Sequence, residues 1–329
     1  MDRSAETASG REPVGFRPAW WLPSPHLQTL WPVLVRRPRR LALTRERVEL
    51  ADGDFIDLAA CGPESGPGVL VIHGLEGSLN SHYVTPLLNA LATAGYRARF
   101  MHLRGCSEEP NRLARSYHSG ASDDLRQVLA WLRARGGVPQ AAIGFSLGGN
   151  LLLKHLGESG ADSGLACAAA VSVPFRLEAA VQRMDIGISR IYGRYLLSRL
   201  KSSYRRRCQR QTRAPVADLE RIDSIRAFDD RVTAPLNGFA DAADYYRRCS
   251  AMNYVGGIVT PTLILHARDD PFMYPDTVPD PGDLGPGVTL ALSERGGHVG
   301  FVAGRFPWRP VYWAERRILA WLRAHPALA

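Results

Sequence analysis

The chain has 329 residues, 45% of them hydrophobic, enough to bury a large core in one domain or two. No apolar run reaches the ~20 residues a membrane helix needs, and Met1 to Pro13 is polar and mixed in charge, unlike a signal peptide; an integral membrane segment is not expected and a cytoplasmic location is. The net charge of +9 comes almost wholly from arginine, because Lys154 and Lys201 are the only lysines, and the five cysteines, odd in number and without CxxC spacing, argue against a disulfide framework or a zinc site.

Residues 1–14 read as a disordered tail, being polar and unpatterned. From Phe16 to Pro32 the chain is too proline-rich for regular structure, yet it carries Trp20, Trp21, Leu22, Leu30 and Trp31. Such an arm is expected to pack across the core surface, the alternative being peripheral contact with a membrane interface. Arg47 to Leu50 and Phe55 to Leu58 flank the turn signal Asp52-Gly53 and predict a β-hairpin.

Beyond the hairpin the hydrophobic period changes. Gly68 to His73, Arg97 to His102, Ala141 to Phe145, Cys167 to Val173, Thr262 to His266 and Val288 to Leu292 are apolar runs of strand length, as suits strands buried on both faces. Between them, Val84, Leu87, Leu88 and Leu91 repeat at helical spacing, as do Leu125, Val128, Leu129 and Leu132. The second helix should be capped by Ser122, favoured at its start by Asp123 and Asp124, and closed by Gly136. Strands alternating with amphipathic helices imply a mostly parallel sheet covered on both sides, and residues 15–329 read as one α/β domain.

The rhythm breaks after Val173. A loop of some 85 residues is improbable in a compact domain, so residues 174–257 are expected to form a helical insertion over one end of the sheet. Within it Ile188, Ile191, Tyr192, Tyr195 and Leu196 read as packing residues. Leu200 to Arg213, dense in arginine, reads as the solvated face of a peripheral helix and loop, and nucleic acid is not expected as a partner.

The most specific chemical signal is Gly144-Phe145-Ser146-Leu147-Gly148, set between the strand ending at Phe145 and the apolar helical run from Asn150. In a nucleophile elbow the serine sits in a strained turn that only small neighbours permit, and Gly144 and Gly148 supply that clearance. A serine needs a histidine to take its proton and a carboxylate to orient the histidine. Asp270 and His298 follow two later strands in the order Ser, Asp, His, with Asp269 as the rival acid and His298 set apart from His102, His118 and His266 by its glycine-flanked loop. The oxyanion donors should be the amides of Leu147 and of Leu75, in His73-Gly74-Leu75-Glu76-Gly77 after the third strand.

The chain resembles the YheT-like branch of α/β hydrolases, bacterial relatives of eukaryotic membrane-anchored lipases, from about Phe16 to Leu322. The resemblance rests on Pro25-His-Leu-Gln-Thr-Leu-Trp, His73-Gly-Leu-Glu-Gly, Arg104-Gly-Cys-Ser, Tyr117-His-Ser-Gly, Gly144-Phe-Ser-Leu-Gly-Gly-Asn, Phe228-Asp-Asp, Ala267-Arg-Asp-Asp-Pro-Phe and Gly296-Gly-His. It implies an α/β-hydrolase fold with an eight-stranded sheet and a helical cap after the sixth strand. It also implies the triad Ser146, Asp270 and His298, and hydrolysis of simple or lipid carboxylic esters without a cofactor or metal. One departure is Glu108, where the family usually has glycine. The competing readings are an acyltransferase, against which the fifth residue after His298 is Ala303 rather than the Asp of HxxxxD, and a noncatalytic lipid- or anion-binding protein that keeps the fold. Oligomeric state is not legible in the sequence.

Overall fold

The computed structural model describes residues 15–37, 40–137, 139–212, 216 and 218–328, so the tail read at 1–14 lies outside the described residues. Strands β1 (Thr44–Glu49) and β2 (Phe55–Cys61) form the expected hairpin at one edge of the sheet. Then come β3 (Gly68–Ile72), β4 (Arg97–Met101), β5 (Pro139–Phe145), β6 (Cys167–Val171), β7 (Thr262–Ala267) and β8 (Val288–Ser293), in the spatial order β1-β2-β4-β3-β5-β6-β7-β8. From β4 to β8 every pairing is parallel, while β2 meets β4 antiparallel.

The continuous apolar runs have a direct cause. In β3, Leu70 and Ile72 face one side with helices α3 (Ser122–Ala134) and α4 (Leu147–Ser159), while Val69 and Val71 face the other with α2 (Val84–Thr93) and α8 (Trp313–Ala324). A strand covered on both faces has no polar position to alternate with. The α3 start departs from expectation. Ala121 occupies the cap without a side-chain bond, and the Ser122 hydroxyl donates instead to Glu158 Oε2 (2.6 Å). Gly136 does follow the helix in the left-handed region, φ 68°.

Helix α1 (Pro25–Val35) corrects the expectation of an irregular arm. Ser24 caps it by accepting the Leu27 amide (3.2 Å), and Pro25 stands in the first turn, where its missing N–H costs nothing. Trp21, Leu22 and Trp31 pack as expected, but Trp20 is 74% exposed and Leu30 is exposed too.

Between β6 and β7 run α5 (Leu177–Arg183), α6 (Ser189–Arg210), short helical turns over residues 225–236, and α7 (Ala242–Cys249). They share a hydrophobic cluster of their own around Leu197, Tyr204, Phe228 and Tyr246, against which Leu75 and Phe272 rest. The packing expectation fails for Ile188, Ile191 and Tyr195, all exposed, and holds for buried Tyr192 and for Leu196, which is partly buried against that cluster. The arginine-dense stretch lies on α6, where Arg205 pairs with Glu220 and Arg210 donates to the Glu108 carbonyl (3.0 Å). Arg213 lies outside the described residues.

Buried histidines make stability fall with acidity. His73 and His266 are held down to about 4 and His118 to about 3, in each case chiefly by burial, which penalises the charged ring. Between their ordinary value of 6.5 and these values the unfolded chain binds protons that the folded one refuses, so each histidine withdraws up to about 1.4 kcal/mol per pH unit as pH falls. Asp229, pushed up to about 6 by burial, acts oppositely below pH 6, but one carboxyl does not offset three imidazoles. The melting temperature measured by circular dichroism is expected to drop clearly from pH 7.5 to pH 5; an unchanged value would contradict the buried-histidine account.

Candidate active site

The parallel register of β3, β5, β7 and β8 brings the carboxyl ends of these strands to one rim, where the loops after them deliver Leu75, Ser146, Asp270 and His298. Ser146 sits between β5 and α4 at φ 51°, ψ −118°, a strained conformation for a residue with a side chain. Its glycine neighbours are sterically required: a Cβ on Gly144 would come 2.5 Å from the Gly148 carbonyl oxygen, and one on Gly148 would lie 2.4 Å from that of His73.

Ser146 Oγ lies 3.0 Å from His298 Nε2, and His298 Nδ1 lies 2.8 Å from Asp270 Oδ2. With Nδ1 donating to the carboxyl, Nε2 is left to accept the serine proton. Asp270 is buried and also accepts the Phe272 amide on Oδ1 (2.8 Å), while the Phe272 ring stacks on the imidazole at 4.0 Å and 8°. Asp269 is directed elsewhere, accepting the Gly297 amide (2.9 Å).

Gly74 adjoins the serine so closely that a Cβ there would stand 3.1 Å from Ser146 Cβ. Leu75 follows directly and packs against both the core of the sheet and the cluster around α6. The Leu147 amide opens α4 and, like other first-turn donors, has no acceptor within its helix. The loop is held at the next residue, Glu76, in the left-handed region at φ 53°. The Tyr117 hydroxyl accepts the Glu76 amide (2.8 Å) and donates to Oε1 (2.9 Å), and Ser203 of α6 donates to Oε2.

Arg104, without exposed side-chain surface, ties the loop after β4 to the β1–β2 turn and to α3 through Asp54 (3.1 Å), Asp124 (2.7 Å) and Asp52 (2.9 Å). Glu108, the departure from the family pattern, is exposed and pairs with Arg45 at 2.7 Å, so the loop accommodates it on its solvent side. All five cysteines are free, and burial raises the Cys167 and Cys249 thiols to about 12, unsuited to nucleophilic work.

The role of the Pro25-His-Leu-Gln-Thr segment is not legible in the sequence. The His298 loop carries Gly297 (φ 62°), Val299 (φ 55°) and Phe301 (φ 43°) in the left-handed region. Strain of that kind persists only where surroundings hold it. Thr29 Oγ1 accepts the His298 amide (2.9 Å), Gln28 both donates to and accepts from the Val302 backbone (3.0 and 2.7 Å), and Ser172 Oγ accepts the Val299 amide (2.9 Å). Thr29→Val keeps the shape but strands a buried amide, a loss of about 1–3 kcal/mol. We expect kcat on a short ester to fall about tenfold with KM little changed, since the group displaced is the imidazole in hydrogen-bond reach of Ser146. Steady-state kinetics beside a melting curve checks this, and unaltered kcat would dismiss the role.

A strained serine between strand and helix, in hydrogen-bond reach of a histidine and a buried aspartate on one rim of a parallel sheet, defines the class of α/β hydrolases. The α/β-hydrolase-fold family matches residues 67–304, and the chain belongs to that family, in its YheT-like branch. It is 46% identical to "Putative esterase YheT" of Escherichia coli (strain K12) over 91% of this chain and 90% of that one. It is 28% identical to phospholipase ABHD3 of Mus musculus, over 90% of this chain and 75% of the relative. The esterase Pf2001 of Pyrococcus furiosus has the same fold, with a TM-score of 0.58 at 17% identity over 88% of this chain and 97% of that one.

Proposed function

We propose that the enzyme hydrolyses carboxylic esters, acyl esters of lipids among them, through an acyl-enzyme on Ser146. Ser146 Oγ attacks the acyl carbon as His298 Nε2 takes its proton, and Asp270 holds the imidazole and steadies its charge. The developing oxyanion is received by the amides of Leu75 and Leu147, whose positions are set before the substrate arrives. His298 then returns the proton to the leaving alcohol, and water repeats the sequence to free the acid. The observation that carries the reading is the unbroken Ser146–His298–Asp270 contact chain at a strained elbow. The relatives named esterase and phospholipase support the substrate class, and the helices between β6 and β7, resting on Leu75 and Phe272, act in this reading as the cap that limits acyl length.

A fluorophosphonate traps an activated serine irreversibly, so it reports the nucleophile directly. Intact-mass measurement is expected to give one adduct per chain, mapped to Ser146, together with turnover across p-nitrophenyl esters from acetate to palmitate and a single chain-length optimum. An adduct at another residue would reassign the nucleophile. A folded, unlabelled chain inactive on the whole series would remove the esterase reading.

A further inference from the structure

Helix α1 is amphipathic in the wrong sense for a soluble surface. It buries Gln28, Thr29 and Pro32, and it turns outward Leu27 (45% exposed), Leu30 and Leu34 (78%), which form one stripe at i, i+3, i+7. The polar residues face inward because they hold the His298 loop, but nothing within the described residues accounts for the leucines. A second stripe with the same spacing, Ile188, Ile191 (67% exposed) and Tyr195, lies at the start of α6. The two are neighbours: His26 Nδ1 is 3.1 Å from the Tyr192 hydroxyl, and their rings stack. Trp21 against Trp31 (5.0 Å) extends the surface towards Trp20, whose indole donates to the Arg305 carbonyl, and so towards exposed Trp308.

The charge on this face is mainly of one sign, exposed Asp185 beside Arg190 being a carboxylate at its edge. Residues 15–37, 186–196 and 304–312 contain no Asp or Glu. Exposed Arg17, Arg37, Arg190, Arg194, Arg305 and Arg309 make no ion pair with a carboxylate among the described residues. Apolar stripes bordered by unpaired arginines match the layering of an anionic lipid surface, with acyl chains beneath phosphates, and long arginine stems can reach up to the phosphates while the leucines sink. A second copy of the chain is the poorer occupant, because a two-fold contact through this face would set its like charges against one another.

We infer that this face, formed by α1, the start of α6 and the 304–309 loop, docks the protein on an anionic phospholipid bilayer. The face adjoins the candidate active site. Ser189 donates to the Pro271 carbonyl (2.6 Å), and Tyr192 packs on Phe272, the residue stacked on His298. Docking therefore presents that rim to the lipid surface. The inference goes beyond the hydrolytic reading and does not need it.

The test uses full-length Ser146→Ala protein, so that binding is read without turnover, in flotation with vesicles of phosphatidylglycerol and phosphatidylethanolamine against vesicles of phosphatidylcholine alone. About tenfold greater retention on the anionic vesicles is expected, weakening as salt rises. Leu34→Asn with Ile191→Asn, and separately Arg190→Gln with Arg194→Gln, should each reduce it about tenfold at an unchanged melting temperature, since the side chains removed are exposed. No retention on anionic vesicles, or retention indifferent to the Leu34 and Ile191 changes, overturns the inference. So does a dimer, seen by light scattering, that the same two changes dissociate, which would give the face to a second copy. Failure here leaves fluorophosphonate labelling of Ser146 untouched, so the two readings fall separately.

Discussion

Replacing Ser146 with alanine is expected to lower kcat on p-nitrophenyl esters by at least about 10³-fold, with the chain folded and melting no lower than wild type. The size follows from the division of labour at the site. On the proposed mechanism no acyl-enzyme forms without Oγ, and the remaining amides and the binding surface can assist only direct attack by water, which in comparable sites retains a small part of the acceleration. Stability should hold or rise, because the residue at 146 is kept at φ 51°, ψ −118° by its neighbours and not by bonds of its hydroxyl other than that to His298. Removing the hydroxyl therefore removes chemistry without opening a cavity. Initial rates at matched concentration, with the fluorophosphonate adduct as a second readout, decide the matter. A variant that turns over like wild type would mean that another residue attacks the ester.

The second large effect separates two adjacent carboxyls. Asp270→Asn is expected to reduce kcat by about 10⁴-fold, because an amide in place of the carboxyl can present its NH₂ to Nδ1 and so favour the tautomer whose Nε2 carries the proton and cannot accept one from Ser146. Asp269→Asn should cost far less. Its carboxyl accepts the Gly297 amide at 2.9 Å, a bond the amide oxygen of asparagine can still make, and its effect reaches His298 only through the loop. The comparison is informative because both substitutions are isosteric and one residue apart. If Asp269→Asn were the more damaging, the acid would be assigned to the wrong neighbour, and the 2.8 Å contact between Asp270 and His298 would be structural.

The same contrast shows what local sequence can carry. The strands were legible because burial on both faces leaves an apolar run, and the elbow was legible because steric demand at a strained serine selects glycine at 144 and 148. Asp269 and Asp270 were hard to separate because adjacent side chains in a loop differ in direction, not in chemistry. Helix α1 departs from its local sequence signals for a related reason. Proline argues against a helix, yet Pro25 stands in the first turn, where its missing N–H costs nothing, and Pro32, although it removes one backbone bond inside the helix, is buried with Gln28 and Thr29 in the packing that holds the segment. Ser122 has the chemistry of a cap, but a partner 36 residues away, Glu158, takes its hydroxyl.

By itself, then, the sequence determined the layered α/β architecture and the strained glycine-flanked turn at Ser146, both of which follow from periodicity and from steric rules acting over a few residues. Tertiary structure alone decided that Gln28 and Thr29 hold the His298 loop across some 270 positions, that Glu76 ties the loop after β3 to Tyr117 and to α6, and that leucines and isoleucines at helical spacing face outward. A hydrogen-bond partner or a covering surface is a property of which segments meet in space, and the hydrophobic period of a helix states that one face differs from the other without stating which face the rest of the protein will occupy.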